Sequence, residues 1–227
     1  MKLKNKFVGI IIILGVIIFA GGFNPLKGLS SHKDTYLNKS SENSSKYLML
    51  VNKKNPLELN YEPENLVKPN IEFLNDTSEE SRYMDEEAAK ALEKLFEAAK
   101  VENITLIGSS AYRSYKSQVG VLKDEIISKG VDYANSYVAK PGKSEHQSGL
   151  SIDVTNESRC FDKTSLEAQW IANNAYKFGF ILRYPEGKED ITGYNYEPWH
   201  IRYVGKEAAK DIYSRNITLE EYLNDMV

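Results

Sequence analysis

Apolar residues recur at helical spacing in several stretches of the chain. Over residues 85–100, alanine, leucine and phenylalanine side chains share one face, and acidic residues fill the first turn. This pattern predicts an amphipathic helix whose acidic start suits the positive end of the helix dipole. Gly179 directly follows the apolar pattern of residues 165–178, at the position where a residue with left-handed backbone conformation commonly ends a helix. The other helices predicted in this way cover residues 119–130, 165–178, 206–215 and 219–226.

Shorter apolar runs between these helices predict strands. They cover residues 104–107, 152–154, 180–182 and 200–204. Because helices and strands are mixed rather than strictly alternating, the pattern favours an α+β fold in which helices pack on a small, largely antiparallel sheet.

The first 46 residues have a different character. Three lysines precede an uncharged run over residues 8–23, a polarity typical of an export signal. Residues 1–23 are therefore predicted to be a cleaved signal peptide or a single-pass membrane anchor, of which we favour the anchor. Residues 24–46 are rich in Ser, Lys, Asn and Glu, which predicts a flexible stalk. The folded domain is expected at residues 47–227, outside the membrane.

Composition excludes several classes of function. Apolar residues make up 41% of the chain and charged residues 27%, as in an ordinary folded protein. The net charge of -3 argues against a nucleic-acid partner. Cys160 is the only cysteine, so an internal disulfide and a paired-cysteine zinc site are both excluded, and we interpret it as a packing residue. A metal site must use His, Asp or Glu.

Two of the three histidines lie beside acidic residues in the predicted domain. His146 and Asp153, seven residues apart in SEHQSGLSIDV, would share a face on a helix but not on one continuous strand. Gly149 favours a turn at residues 147–149 that brings the two side chains to one point. An imidazole and a carboxylate suit zinc.

A second acid-bearing motif, EPWH, supplies Glu197 and His200. His200 starts a predicted strand and can complete a site of two imidazoles and one carboxylate, with the fourth position open to water. Glu197 is the candidate general base for that water. A single histidine is more often a core or surface residue than a ligand, but two histidines in two acid-bearing motifs are harder to explain by packing.

The order of these motifs resembles the VanY-type D-alanyl-D-alanine carboxypeptidases, zinc peptidases that are also similar to the hedgehog domain. The resemblance covers about residues 48–212 and rests on SAYRSYKSQ, on SxHxxGxxxD and on EPWH. It implies one Zn²⁺ bound by the first histidine, the aspartate and the last histidine, with the glutamate of EPWH as base. The residues in these positions are His146, Asp153, His200 and Glu197.

The resemblance also implies substrate contacts. Arg113 is expected to bind substrate and stabilise the oxyanion, a role that suits a guanidinium fork. Gln118, Ser144 and Ser151 complete the expected contacts, although Gln118 would equally fit an exposed helix position. Ser151 departs from the alanine that is frequent in the family two residues before the aspartate.

The implied function is a metallocarboxypeptidase that removes the C-terminal D-alanine from peptidoglycan stem peptides outside the cell membrane, as a monomer. An L,D-carboxypeptidase, a D,D-dipeptidase and a non-catalytic wall-binding module stay open as alternatives. A serine mechanism of the penicillin-binding type is excluded by position, since the only Ser-x-x-Lys spacing begins at Ser30, in the predicted stalk. The His-Glu-x-x-His pattern of other metalloproteases does not occur.

Overall fold

The structure is a computed structural model that describes residues 46–226. The predicted leader and the predicted stalk up to residue 45 lie outside the described residues. Lys46, the last residue of the predicted stalk, lies in a helical turn, and its ammonium group donates to the Asp85 carboxylate over 2.6 Å. Within this described part of the chain, no helix is both long and apolar enough to cross a membrane.

Six strands in residues 46–226 form two antiparallel sheets. The smaller sheet pairs β1 (Leu66–Val67) with β2 (Met84–Asp85). The larger sheet has the spatial order β3-β4-β6-β5, and its strands are β3 (Ile107–Ser110), β4 (Ser151–Thr155), β5 (Phe180–Leu182) and β6 (His200–Tyr203). All neighbouring strands of this sheet are antiparallel, which confirms the predicted α+β class.

Seven α-helices surround the larger sheet in the described residues. They are α1 (Glu86–Val101), α2 (Tyr115–Lys129), α3 (Val131–Tyr137), α4 (Leu166–Asn174), α5 (Glu189–Thr192), α6 (Lys206–Arg215) and α7 (Leu219–Asn224). A 3₁₀ turn continues α4 to Phe178, and Gly179 ends it at a φ of 90°, as the sequence predicts.

The first helix forms as the sequence predicts and closes one side of the core. The Asp85 carboxylate accepts hydrogen bonds from two N–H groups in the first turn of α1, which would otherwise lack partners. Leu92 and Leu95 on the apolar face are fully buried. Burial of each such leucine contributes about 2 kcal/mol.

The strand predicted over residues 104–107 begins later than expected, at Ile107. Asn103 adopts a left-handed φ of 60°, and the N–H of Ile104 donates to the carbonyl of Ala99 over 2.9 Å. This bond caps the end of α1, so the backbone of Ile104 cannot yet join the sheet.

The larger sheet separates an apolar face from a polar one. On β4, Ile152 and Val154 point into the main core, while Asp153 between them points to the other side. A smaller apolar cluster, which includes Ile181 and Leu219, fixes α6 and α7. The polar face of β4 and β6 is therefore the place where the sheet can present ligands.

Cys160 is exposed, so its interpretation as a packing residue is wrong. Cys160 lies in a turn, where its backbone N–H donates to the side-chain oxygen of Asn156 over 3.1 Å. The turn is fixed by that amide and not by burial of the thiol.

Candidate active site

Strand pairing places Asp153 and His200 side by side. The two residues lie directly opposite each other on β4 and β6. Their side chains therefore project from the same face of the sheet. Asp153 Oδ1 lies 2.9 Å from His200 Nδ1.

His146 reaches the same point from a tight turn. A 3₁₀ turn over Glu145–Ser148 ends at Gly149, whose φ is 71°, and this is the turn that the sequence predicts between the histidine and the strand. A Cβ at Gly149 would lie 2.9 Å from the Leu66 side chain, so the turn requires glycine. His146 Nε2 lies 3.3 Å from Asp153 Oδ2.

Each histidine makes a second contact that determines its free nitrogen. His146 Nδ1 lies 2.7 Å from the carbonyl oxygen of Ala111, and since a carbonyl only accepts, Nδ1 carries the proton. His200 Nε2 lies 3.4 Å from the Glu145 carboxylate, which also accepts. The remaining nitrogens, Nε2 of His146 and Nδ1 of His200, both face Asp153 and are the ones available to bind a metal.

This donor set fits zinc. Ligand atoms of His146, Asp153 and His200 lie within 4.8 Å of one another. Ligands bound at about 2.1 Å around a tetrahedral ion are about 3.4 Å apart, close to the separations from Asp153 to the two imidazoles. Two imidazoles and one carboxylate, each imidazole held by an outer acceptor, are the arrangement of catalytic zinc sites.

The charges around the three ligands keep the carboxylate ionised. Burial alone would raise the pKa of Asp153, but the two histidines outweigh it and lower that pKa below its usual range. Burial also opposes protonation of His200, yet its hydrogen bonds to Asp153 and Glu145 raise its pKa to about 9. For His146, burial prevails and lowers the pKa, so this imidazole is neutral at pH 7.

Glu197 lies in the same cavity in a very different environment. Its side chain is 4% exposed, and burial raises its pKa to about 8 although His200 opposes the shift. Two backbone hydrogen bonds hold Glu197 in place. Its N–H donates to the carbonyl of Tyr184, and its own carbonyl accepts from the N–H of His200. A carboxylate with a raised pKa is suited to accept and return a proton near neutral pH.

A cavity of about 260 Å³ contains the three ligands and Glu197. Arg113 also lines the cavity. One of its guanidinium nitrogens donates a hydrogen bond to the Gln118 side chain at 2.9 Å, and another donates to the Ser110 hydroxyl at 2.8 Å. Gln118 is held in turn by the Ala139 carbonyl, 2.7 Å from its amide nitrogen. The cavity is enclosed on its other sides mainly by α2, α3 and aromatic side chains.

The two serines expected to contact substrate lie in different environments. Ser144 lines the cavity, whereas Ser151 does not and is fully buried in β4 opposite Arg202. Trp199 packs against the core and also borders the cavity. Tyr203 packs in the core alone, in edge contact with Phe180.

Sequence reasoning missed Glu145. It is fully buried, and its position directly before His146 was the only available signal. Burial would raise its pKa, but Arg202 and Arg183 lower it far below the usual range. The site therefore holds two buried glutamates of opposite character, one always ionised and one that binds a proton readily.

Several known proteins are similar to this chain. The family model described as VanY, D-alanyl-D-alanine carboxypeptidase, matches residues 81–206. The putative carboxypeptidase YodJ of Bacillus subtilis is 47% identical over 186 residues, which cover 80% of this chain and 68% of that protein.

Two solved structures are similar over the same part of the chain. The LD-carboxypeptidase LdcB, described with the basis of its peptidoglycan recognition, matches with a TM-score of 0.71 and 47% identity over 77% of this chain and 84% of that one. A mutant of the vancomycin resistance D,D-pentapeptidase VanY, solved with Zn(II), matches with a TM-score of 0.67 and 36% identity over 78% and 99%.

Proposed function

We propose that this chain, which belongs to the VanY family of D-alanyl-D-alanine carboxypeptidases, is a zinc-dependent enzyme that removes the C-terminal D-alanine from peptidoglycan stem peptides. Membership of that family makes the chain a peptidase. The proposal rests on one observation, the convergence of His146, Asp153 and His200 beside the proton-binding Glu197 in one cavity. The zinc complex of the related D,D-pentapeptidase supports the choice of metal.

His146, Asp153 and His200 would hold the zinc ion. When bound there, zinc supplies Lewis acidity, which lowers the pKa of a water molecule and polarises the scissile carbonyl. Asp153 brings one negative charge, and the two imidazoles are neutral as ligands, so the site keeps a net positive charge. A peptide carbonyl and its developing oxyanion are attracted to such a site.

Glu197 acts as the general base. It takes a proton from the attacking water and passes it to the amine of the departing D-alanine, so the peptide C–N bond breaks while a C–O bond forms. Its raised pKa in the metal-free protein gives it the affinity for a proton that this transfer needs. Positioned general bases of this kind contribute about 10²–10⁴-fold in rate.

Arg113 binds the carboxylate end of the substrate or the developing oxyanion. Bonds to Gln118 and Ser110 fix the plane of its guanidinium group, so less conformational entropy is lost when substrate binds. An arginine fork pairs with a carboxylate through two parallel hydrogen bonds. Gln118 and Ser144, which line the same cavity, are proposed as further polar contacts. Ser151 is proposed only as a neighbour of the ligands in β4.

The bond that is cut has two candidates. The family as a whole is described by its action on D-alanyl-D-alanine, which favours the D,D bond of a pentapeptide stem. The 47% identity to the LD-carboxypeptidase LdcB favours the L,D bond at the end of a tetrapeptide stem. Both reactions release D-alanine, and in both the carboxylate of that D-alanine is one of the two groups proposed to bind Arg113.

We place this activity outside the cell membrane, in a monomer that is either anchored by residues 8–23 or secreted to the wall. The peptidoglycan recognition described for LdcB supports the location.

Mass spectrometry of defined stem peptides tests the proposal. Purified full-length protein is incubated with a pentapeptide, a tetrapeptide and free D-Ala-D-Ala, with and without a chelator. Loss of one D-alanine that returns when zinc is added supports a zinc carboxypeptidase, and the peptide that is shortened identifies the bond. If metal-loaded protein binds the peptides but shortens none of them, the chain is a wall-binding module and the proposal is wrong.

A further inference from the structure

Glu145 lies at the centre of a buried charge network that ends at a proposed metal ligand. Its side chain has no solvent exposure. Oε1 accepts from Arg183 Nε at 2.7 Å and from Arg202 Nη1 at 2.6 Å. Oε2 lies 3.4 Å from Nε2 of His200. One carboxylate therefore connects two fully buried arginines to the imidazole on β6.

Stability alone does not account for this arrangement. A buried ion pair is often no more stabilising than well-packed apolar side chains, because removing the charges from water costs several kcal/mol per ion. The contact that apolar side chains could not replace is the one to His200. If Nδ1 binds zinc, the imidazole keeps one proton, and this contact holds that proton on Nε2.

We propose that Glu145 is a positioning residue that holds His200 with Nε2–H toward the protein and the Nδ1 lone pair toward the metal. The proposal rests on the zinc site put forward above. An ionised carboxylate can only accept, so it selects this tautomer and makes the imidazole a stronger ligand. The two arginines keep the carboxylate ionised and fix its direction.

Glu145 does not act as the base itself. Although it borders the cavity, its Oε1 is fully engaged by Arg183 and Arg202, and its Oε2 faces His200. An oxygen held in this way has little tendency to accept a proton from water. The division of roles between Glu145 and Glu197 follows from their neighbours.

The outer part of the network supplies a matched control. Glu220 on α7 accepts from both Nη atoms of Arg183, at 2.9 and 2.7 Å, and from the Asn52 side chain at 3.0 Å. Glu220 has the same side chain as Glu145, shares Arg183 with it and is buried, but it makes no hydrogen bond to His200. Glu220→Gln therefore perturbs the same ion network without touching the metal ligand.

The test is the zinc affinity of full-length Glu145→Gln, Glu145→Ala and Glu220→Gln proteins, measured by competition with a chromophoric chelator. Removing an outer partner of a metal ligand weakens metal binding about 10–100-fold. We expect a weakening of about tenfold in Glu145→Gln and about 100-fold in Glu145→Ala, with little change in Glu220→Gln. The visible spectrum of the Co(II)-substituted protein should change in the Glu145 variants and not in Glu220→Gln.

A wild-type zinc affinity in Glu145→Gln, or an equal loss in Glu220→Gln, overturns the positioning role. If the wild-type protein itself binds no zinc, the proposed function fails and not this inference alone.

A second measurement needs no variant, in case the Glu145 proteins do not fold. In ¹⁵N NMR of the zinc-loaded wild type, His200 should show a slowly exchanging Nε2–H and a metal-bound Nδ1. A His200 with a proton on Nδ1 contradicts the inference.

Discussion

Replacing Glu197 with glutamine should stabilise the metal-free protein at alkaline pH. Burial raises the pKa of Glu197 from the model-compound value of 4.5 to about 8. Between these two pH values the folded protein holds a proton that the unfolded chain has released. The stability contributed by this group is therefore fully present below pH 4.5 and is lost as the pH rises to 8.

The interval between the two pKa values limits the size of the effect. At about 1.4 kcal/mol per pKa unit, the upper bound is about 5 kcal/mol. Relaxation and water entry around a cavity carboxylate reduce this penalty, so we expect about 1–3 kcal/mol. Glutamine has no charge to bury, and Glu197→Gln should match wild type near pH 5 and exceed it by that amount at pH 8.5.

Urea unfolding of chelator-treated protein at pH 5 and pH 8.5 measures this difference. Glu157→Gln is the control, because Glu157 is exposed and its replacement should change stability equally at both pH values. The reasoning is refuted if Glu197→Gln tracks wild type at both pH values, or if it is the less stable protein at pH 8.5.

Three further predictions follow from the charges and the backbone. Arg183→Met should lower the free energy of unfolding by about 3–5 kcal/mol in urea titrations, because it removes the cation paired with buried Glu220 and one of the two arginines paired with buried Glu145. Arg159→Met, which breaks an exposed ion pair, should have little effect; equal losses would contradict this. Gly149→Ala should destabilise the protein more than Gly187→Ala in thermal melts, since both glycines have φ above 70° but only Gly149 has a side chain within 3 Å of an added Cβ. Zinc affinity, measured by chelator competition, should fall about tenfold per pH unit from pH 7 to 5.5. The reason is that zinc binding must release the proton of His200, whose pKa is about 9. An affinity that does not change with pH would show that His200 is neutral in the metal-free protein.

The local elements were predictable because their causes are local. The α1 helix is determined by its apolar spacing and by the cap at Asp85, and both can be read from neighbouring residues. The turn before β4 was predictable because Gly149 stands where the backbone needs a left-handed residue. The same local pattern overstates burial on α2, where Val119 and Ile126 have helical spacing but remain exposed.

The parts that depend on register and distant partners were not predictable. The motifs supply Asp153 and His200, but only the packing of β4 against β6 makes them direct neighbours. The role of Glu145 depends on Arg183 and Arg202, which are 38 and 57 residues away in the chain. Ser151 shows the same dependence, since its place in the motif suggests substrate contact, while its burial in β4 follows from the strand pairing.

Zinc content and turnover of two variants, measured on the same preparations, test the central claim most directly. Glu197→Ala should keep one zinc ion per chain and lose at least about 100-fold in the rate of D-alanine release from stem peptides. His200→Ala should lose both the zinc and the turnover. Full turnover in Glu197→Ala, or zinc retained with wild-type affinity in His200→Ala, would contradict the account.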